Sequence, residues 1–204
     1  MNSRRWLVAL MAALIAACSQ PATKSAPSSD LPDSATAEPG KADTGADRTG
    51  PERIAIGFYT AYLKLPAGGV PSADGRARLR PYISPALEQL LINAAAAEVR
   101  HDAATNGQEP PLLEGDPFTS LFEGATEFGE PDCTEGSGSK ASCKVALTHA
   151  DPEGGTAKWT DTLDLVELEA VWRINDIEYG GVGDFGHHGR LTELLKAVIA
   201  DAPS

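Results

Sequence analysis

The spacing of apolar residues changes about halfway along the chain, and this change restricts the possible folds more than any other feature. Before Pro110 the apolar residues recur every three or four positions, which is typical of amphipathic helices. Beyond Leu121 they alternate with polar residues, which is typical of strands with one buried face. Because helices precede strands instead of alternating with them, the order favours an α+β fold over a parallel α/β fold.

Two amphipathic helices are predicted before the change of period. The first covers residues 51–65 and begins with a capping box, Thr-Gly-Pro-Glu at residues 49–52. The second begins at Ser84-Pro85, a helix cap followed by a proline at the first helical position, and ends near Asn106. Residues 71–79, between the two, are predicted to form a loop. The predicted buried face of the second helix comprises Leu87, Leu90, Leu91, Ala94 and Val99.

Four extended segments are predicted after the change of period, at residues 122–130, 140–150, 156–168 and 170–179. Short turns connect them, so they should form an antiparallel meander. A closing helix at residues 190–201 carries one apolar face formed by Leu191, Leu194, Leu195 and Val198. The expected architecture is α+β, with N-terminal helices packed on a curved, cone-like, four-stranded antiparallel sheet and a helix at the C-terminus.

The N-terminus has the pattern of an export signal. A positively charged Arg4-Arg5 pair precedes an apolar run at residues 6–17, which is shorter than the about 20 residues that a membrane-spanning helix needs. The run ends in Ile-Ala-Ala-Cys at residues 15–18, which resembles the lipobox of bacterial lipoproteins. The resemblance implies cleavage before Cys18 and acylation of the new N-terminus, with more than one chain for firm anchoring. An ordinary secretory signal with an incidental cysteine is the alternative.

The segment after Cys18 is predicted to be a disordered tether. Residues 18–50 are dominated by Ser, Ala, Pro, Thr, Gly and Asp, and cannot bury enough apolar surface to fold. The folded part is then a single domain at residues 51–204. Ser19 is not Asp, which by resemblance to enterobacterial sorting rules implies the outer membrane, with the domain facing the periplasm.

The chain is acidic, with a formal net charge of −12. Such a charge argues against nucleic acid as a partner and leaves open a basic protein partner, a small ligand or no partner at all.

Two cysteines remain once Cys18 is assigned to lipid. Cys133 and Cys143 flank a Gly- and Ser-rich segment that reads as a hairpin connection, and a disulfide across its base is predicted in an oxidising compartment. A metal site or a redox pair fits less well, because four closely spaced ligands and a Cys-x-x-Cys spacing are both absent.

Four short segments resemble the domain of unknown function 3828 family of bacterial proteins. They are Phe-Tyr-Thr-Ala-Tyr-Leu at residues 58–63, Pro-Tyr-Ile-Ser-Pro-Ala-Leu at 81–87, Asp-Pro-Phe at 116–118 and Val-Trp-Arg-Ile-Asn-Asp-Ile at 171–177. The resemblance implies a fold like that of nuclear transport factor 2 or cystatin, a cone whose mouth often binds a small molecule or a partner. Many relatives are binding modules and some are enzymes, and no functional residue is carried over.

Two groups of residues are candidates for chemistry. Asp184, His187 and His188 lie in the Gly-rich residues 180–189, where they would bind a transition metal or act as acid and base. A simple connector is the preferred interpretation, because a metal site needs three or more converging ligands and neither His101 nor His149 is placed nearby.

Asp161 shares its predicted face with Trp159 and Leu163, so an inward carboxylate there would be a candidate base. A solvated or paired carboxylate is the preferred interpretation, because buried, unpaired Asp is rare. Asp116 is interpreted as the cap of a short turn at residues 117–122 in preference to a ligand contact.

No hydrolase, metalloprotease or nucleotide-binding motif occurs in the sequence. The sequence therefore favours a non-enzymatic binding or interaction module in the cell envelope, with no cofactor and no metal. Two alternatives stay open: an immunity-type lipoprotein that blocks a basic toxin acting on the cell wall, and a small hydrolase or isomerase that uses a cavity Asp or His.

Overall fold

A computed structural model describes residues 50–181 and 186–203, which form an α+β fold, as predicted. Its elements in chain order are α1 (Gly50–Tyr62), α2 (Ala73–Leu79), α3 (Pro85–Thr105), β1 (Glu127–Phe128), β2 (Asp132–Glu135), β3 (Lys140–Ala150), β4 (Thr156–Leu168), β5 (Val171–Glu178) and α4 (Leu191–Asp201). The predicted signal, Cys18, residues 19–49 of the predicted tether and Asp184 lie outside the described residues. Gly50, predicted as the last residue of the tether, is the first residue of α1. Among those residues, no helix combines the length and hydropathy that crossing a membrane requires.

The sheet is open and antiparallel, and its centre is the long β3–β4 hairpin. Strands β1 and β2 both pair with β3 along one edge, and β5 pairs with β4 on the other side. The predicted bounds of β3 and β4 are confirmed. The strand predicted at residues 122–130 is present but shorter, at Glu127–Phe128. The predicted number of four strands is wrong, because β2 makes a fifth. Pro131 separates the two short strands, and its missing N–H explains why they do not merge.

The helices pack on the inward face of this sheet. Helix α1 buries Ala55, Phe58, Tyr59 and Tyr62 at helical spacing. Helix α3 buries Leu87, Leu91, Ala94 and Ala97. These side chains pack against the buried residues of β3 and β4. Side chains therefore fill the space between helices and sheet, which the sequence predicts to be the interior of a cone.

Three helix predictions need correction. Helix α1 ends at Tyr62, not at residue 65, and Leu63 is exposed. Val99 is 70% exposed and does not belong to the buried face of α3. Residues 73–79, predicted as a loop, form helix α2, which Ser72 caps by accepting a hydrogen bond from the Gly75 amide at 3.2 Å. Seven residues are too few to show the apolar period of a helix, so the capping residue Ser72 is the main feature of the sequence that indicates α2.

Helix α4 depends on β5 for its N-terminal cap. Asp176 accepts hydrogen bonds from the Thr192 amide at 3.0 Å and from the Arg190 guanidinium at 2.8 Å. Arg190 also pairs with Glu178 at 3.2 Å and with Asp164. This arrangement replaces a local cap, since Arg190 itself stands at the N-cap position without a capping side chain.

The predicted disulfide is present between Cys133 and Cys143, which face each other across β2 and β3. Replacing both with Ala should lower the free energy of unfolding by roughly 2–3 kcal/mol, because a short loop regains freedom in the unfolded chain. Denaturant unfolding of oxidised wild type, reduced wild type and the double variant measures this. Equal stability of all three would show that β2 is held by its backbone pairing alone.

Candidate functional site

The Asp161 carboxylate is buried at the centre of a hydrogen-bond network. It is fully inaccessible to solvent, as an inward orientation requires. One oxygen accepts from the Ser120 amide at 2.8 Å and from the Trp159 indole at 3.0 Å. The other accepts from the Gly180 amide at 2.9 Å and from the Ser120 hydroxyl. Four donors therefore satisfy this carboxylate from three different parts of the chain.

Further bonds extend the network around Ser120. Its hydroxyl accepts from the Gly181 amide at 3.1 Å, and its carbonyl accepts from the His187 amide at 2.7 Å. Gly180 has to be a glycine, because a Cβ at that position would lie 1.8 Å from the Thr160 carbonyl oxygen. Asp161 thus holds β4, the loop before β1 and the chain after β5 together, and its lone pairs are directed at protein donors.

The histidines do not converge. His187 packs its ring on Tyr179 with 5.4 Å between centroids, and burial lowers its pKa. His188, next to it, is exposed. His101 contacts the Pro110 carbonyl at 2.9 Å, and His149 contacts the Gly124 carbonyl at 2.8 Å. Within residues 50–181 and 186–203, no three His, Cys, Asp or Glu side chains are grouped as metal ligands would be.

Asp116 is a second buried carboxylate, with a different environment. It accepts a hydrogen bond from the Phe118 amide at 2.8 Å, so the predicted capping role is correct. The Thr119 amide, the Thr119 hydroxyl and the Tyr62 hydroxyl also bond this carboxylate. The Tyr62 hydroxyl accepts in turn from the Ala125 amide at 2.9 Å. The ion pairs of the described residues leave Asp116 without a cation. Burial dominates and raises the pKa of Asp116 to about 6.

A pocket of about 240 Å³ opens beside Asp116. Its lining includes three residues with polar side chains, Asp116, Tyr62 and Ser72, and Leu65, Val70 and Phe118 supply apolar walls. Sequence reasoning assigned Asp116 to a turn and missed this pocket. Tyr62 and Val70 are far from Asp116 along the chain, so no local pattern relates the three residues.

A larger, open groove of about 880 Å³ lies beside the pocket, between α3 and residues 109–115. Both cavities share the wall at residues 68–70, which the Gly69 amide ties to the Gly115 carbonyl at 2.6 Å. The groove combines exposed apolar side chains with several carboxylates. Its exposed apolar members are Val99, Pro111 and Phe122, while Val70 is half-buried and Leu113 is buried. Its acidic members are Glu98, Asp102, Glu109 and Glu114.

The described fold defines an α+β protein with an open antiparallel sheet, a satisfied buried carboxylate and two adjoining cavities. No family model, curated protein or solved structure was found that matches this chain. The resemblance to the domain of unknown function 3828 family therefore stays a prediction.

Substitution of the two buried aspartates by Asn should have opposite effects on stability. Asp161→Asn leaves an amide group facing N–H donors and should lower the free energy of unfolding by about 1–3 kcal/mol. Asp116→Asn should raise it at pH 8 by up to about 3 kcal/mol, because the pKa of Asp116 rises from 3.8 to about 6 on folding. Chemical unfolding of both variants at pH 8 measures the two effects.

The pH dependence of the Asp116 effect provides the control. The folded state binds the Asp116 proton more tightly than the unfolded state, so wild type loses this stability as the pH rises from about 4 to above 6. Wild type and Asp116→Asn should therefore converge below pH 4. A constant difference at all pH values would contradict a titrating buried carboxylate.

Proposed function

We propose that this protein is a non-enzymatic binding module of the bacterial cell envelope, held at the periplasmic face of the outer membrane by a lipid on Cys18. The observation that carries the binding role is the open groove along α3, which has room for a segment of a partner. Its apolar side chains are exposed to an unusual degree, with Phe122 at 44% and Val99 at 70%. Exposed apolar surface rimmed by polar groups is typical of interaction sites.

The charge of the groove supports a basic partner. Asp102, Glu109 and Glu114 are exposed at its rim, while Glu98 is engaged by the Leu112 and Leu113 amides at 3.0 and 2.8 Å. The net charge of −12 adds a long-range field of the same sign, which favours encounter with cationic proteins. A segment that places Lys or Arg at the rim and an apolar residue over Phe122 would complement this surface.

A non-enzymatic role is supported by the state of the best sequence candidate for a base. All four donors to Asp161 come from the protein, and the carboxylate has no exposed surface through which to reach a substrate. A general base must lie within hydrogen-bond reach of the proton that it removes. Asp161 therefore serves better as a structural anchor than as a catalyst.

A photo-crosslinking amino acid at Phe122 should capture the partner in living cells of the native bacterium. The double variant Glu109→Lys, Glu114→Lys should reduce the crosslinked product about tenfold, because two rim charges change from attraction to repulsion. Mass spectrometry of the product identifies the partner, and its quantity on gels measures the loss.

Two matched controls make this experiment specific. Leu168 is 41% exposed and lies outside the groove, so the crosslinker placed there should not capture the same protein. Glu153→Lys, Glu169→Lys changes the net charge equally at two exposed turn residues and should leave the crosslink intact. Equal capture from Phe122 and Leu168 would contradict a binding groove. A basic cell-wall hydrolase as the captured protein would favour the immunity role.

Lipid attachment is tested separately at Cys18. Cys18→Ser removes the thiol that would carry the lipid, so the protein should move from the membrane fraction to the soluble periplasmic fraction. Mass spectrometry of the wild-type N-terminal peptide should show a cleaved chain that begins with an acylated cysteine. An unmodified Cys18 in the mature protein would contradict this localisation and leave the groove proposal standing.

A further inference from the structure

We propose that the pocket beside Asp116 binds a small organic ammonium ion, a protonated primary amine with a short apolar chain. This site is separate from the groove, and it would exist whether or not the groove binds a protein. The proposal rests on the size of the pocket, on its apolar walls and on a carboxylate that lacks a cation.

The size of the pocket sets the size of the ligand. A volume of about 240 Å³ corresponds to about eight water molecules at about 30 Å³ each, which suits a ligand with fewer than about ten heavy atoms. The walls are mostly apolar and come from α1, the segment after it and residues 116–118. Their large apolar members are Leu65, Pro66, Val70, Pro71 and Phe118. Such walls favour a hydrocarbon chain over a hydrated ion.

The carboxylate determines the charge of the ligand. Asp116 is 4% exposed, and it accepts hydrogen bonds from the Phe118 and Thr119 amides and from the Thr119 and Tyr62 hydroxyls. All of these donors are neutral, and the ion pairs of the described residues do not include Asp116. The ring of His187 bonds the Asp116 backbone, and burial lowers its pKa, so it does not supply the missing charge near neutral pH. An ammonium group would supply that charge and donate hydrogen bonds to the carboxylate, whereas an anion would be repelled.

A metal ion fits this pocket less well than an ammonium ion. Calcium takes six to eight oxygen ligands, and magnesium requires six in a regular octahedron. Asp116, Tyr62 and Ser72 are the side chains with oxygen atoms at the pocket, and the Ser72 hydroxyl already caps α2. The geometry therefore points to an organic cation that needs one counter-charge and apolar contact.

Titration calorimetry with the full-length protein in a nonionic detergent tests the proposal. The probes are methylammonium, n-butylammonium and n-hexylammonium, with n-butanol as the neutral analogue and KCl as the inorganic cation. Butylammonium at pH 7.5 should bind at least about tenfold more tightly than n-butanol, because only the ammonium neutralises the buried carboxylate.

Asp116→Asn should weaken butylammonium binding at least about tenfold, since it removes the charge and keeps the shape. Glu114→Gln is the matched control, because it removes one exposed carboxylate from the neighbouring groove and should change affinity less than about twofold. Gly75→Ala places a methyl group 3.2 Å from Pro71 and 3.5 Å from Leu65 in the pocket wall, and it should weaken binding while thermal unfolding shows that the fold is kept.

The pH dependence of butylammonium binding distinguishes a charge effect at Asp116 from a purely structural effect of the substitution. With the pKa of Asp116 at about 6, lowering the pH from 7.5 to 5 should weaken binding about tenfold in wild type. Calorimetry at pH 6 in two buffers of different ionisation enthalpy should show proton release on binding.

The proposal is overturned by equal affinity for n-butanol, by potassium competing as well as butylammonium, by unchanged binding in Asp116→Asn or by no binding of any probe. None of these outcomes bears on crosslinking at Phe122.

Discussion

The position of the loop before β1 depends on the hydrogen bonds of one buried carboxylate. Asp161 lies on the inward face of β4 and bonds the Ser120 backbone, the Ser120 hydroxyl and the Gly180 amide, so it fixes two segments that regular strand pairing does not reach. The Tyr179 hydroxyl adds a bond of 2.6 Å to the Pro117 carbonyl. Together these bonds hold residues 116–120 against the sheet, and Asp116 is thereby placed at its pocket. Neither aspartate is paired with a cation, and they differ in their surroundings: Asp161 has no exposed surface, whereas Asp116 lies beside a pocket.

Regular elements of this fold were predictable wherever one physical signal acted over many residues. The unbroken alternation in β3 and β4 determines their bounds, and the period of two puts Asp161 on the same face as Trp159 and Leu163, which the structure shows to be buried. The preferred interpretation of Asp161 as solvated or paired is correct in its second alternative, since four protein donors bond it. The partners themselves were not predictable. Ser120 and Gly180 are 41 and 19 residues away from Asp161, and nothing in their local sequence marks them as donors to a carboxylate.

The incorrect sequence predictions have a common cause: tertiary contacts, and not the local sequence pattern, decide the environment of the residues concerned. Val99 continues the apolar period of α3, yet it is 70% exposed and lines the groove. The neighbouring Glu98 binds the Leu112 and Leu113 amides, a tertiary contact that the apolar period does not predict. Asp116 caps its turn as expected. A capping pattern concerns hydrogen bonds within a few residues, so it gives no information about the distant residues that form the pocket. The pocket arises where Tyr62 from α1 approaches that turn, and Gly124 permits this, since a Cβ there would lie 2.7 Å from the phenol oxygen.

The interrupted edge of the sheet has a consequence for contacts between copies of the protein. An open sheet offers unpaired backbone groups that invite strands from other molecules, and natural proteins blunt such edges with prolines and short strands. Here Pro131 divides one edge into β1 and β2, and Tyr82 and Ser84 exchange backbone bonds with Ile174 of β5 at 2.8 and 2.7 Å on the other side. Among the described residues, each edge of the sheet is thus short or partly paired, which disfavours sheet growth between copies of the protein.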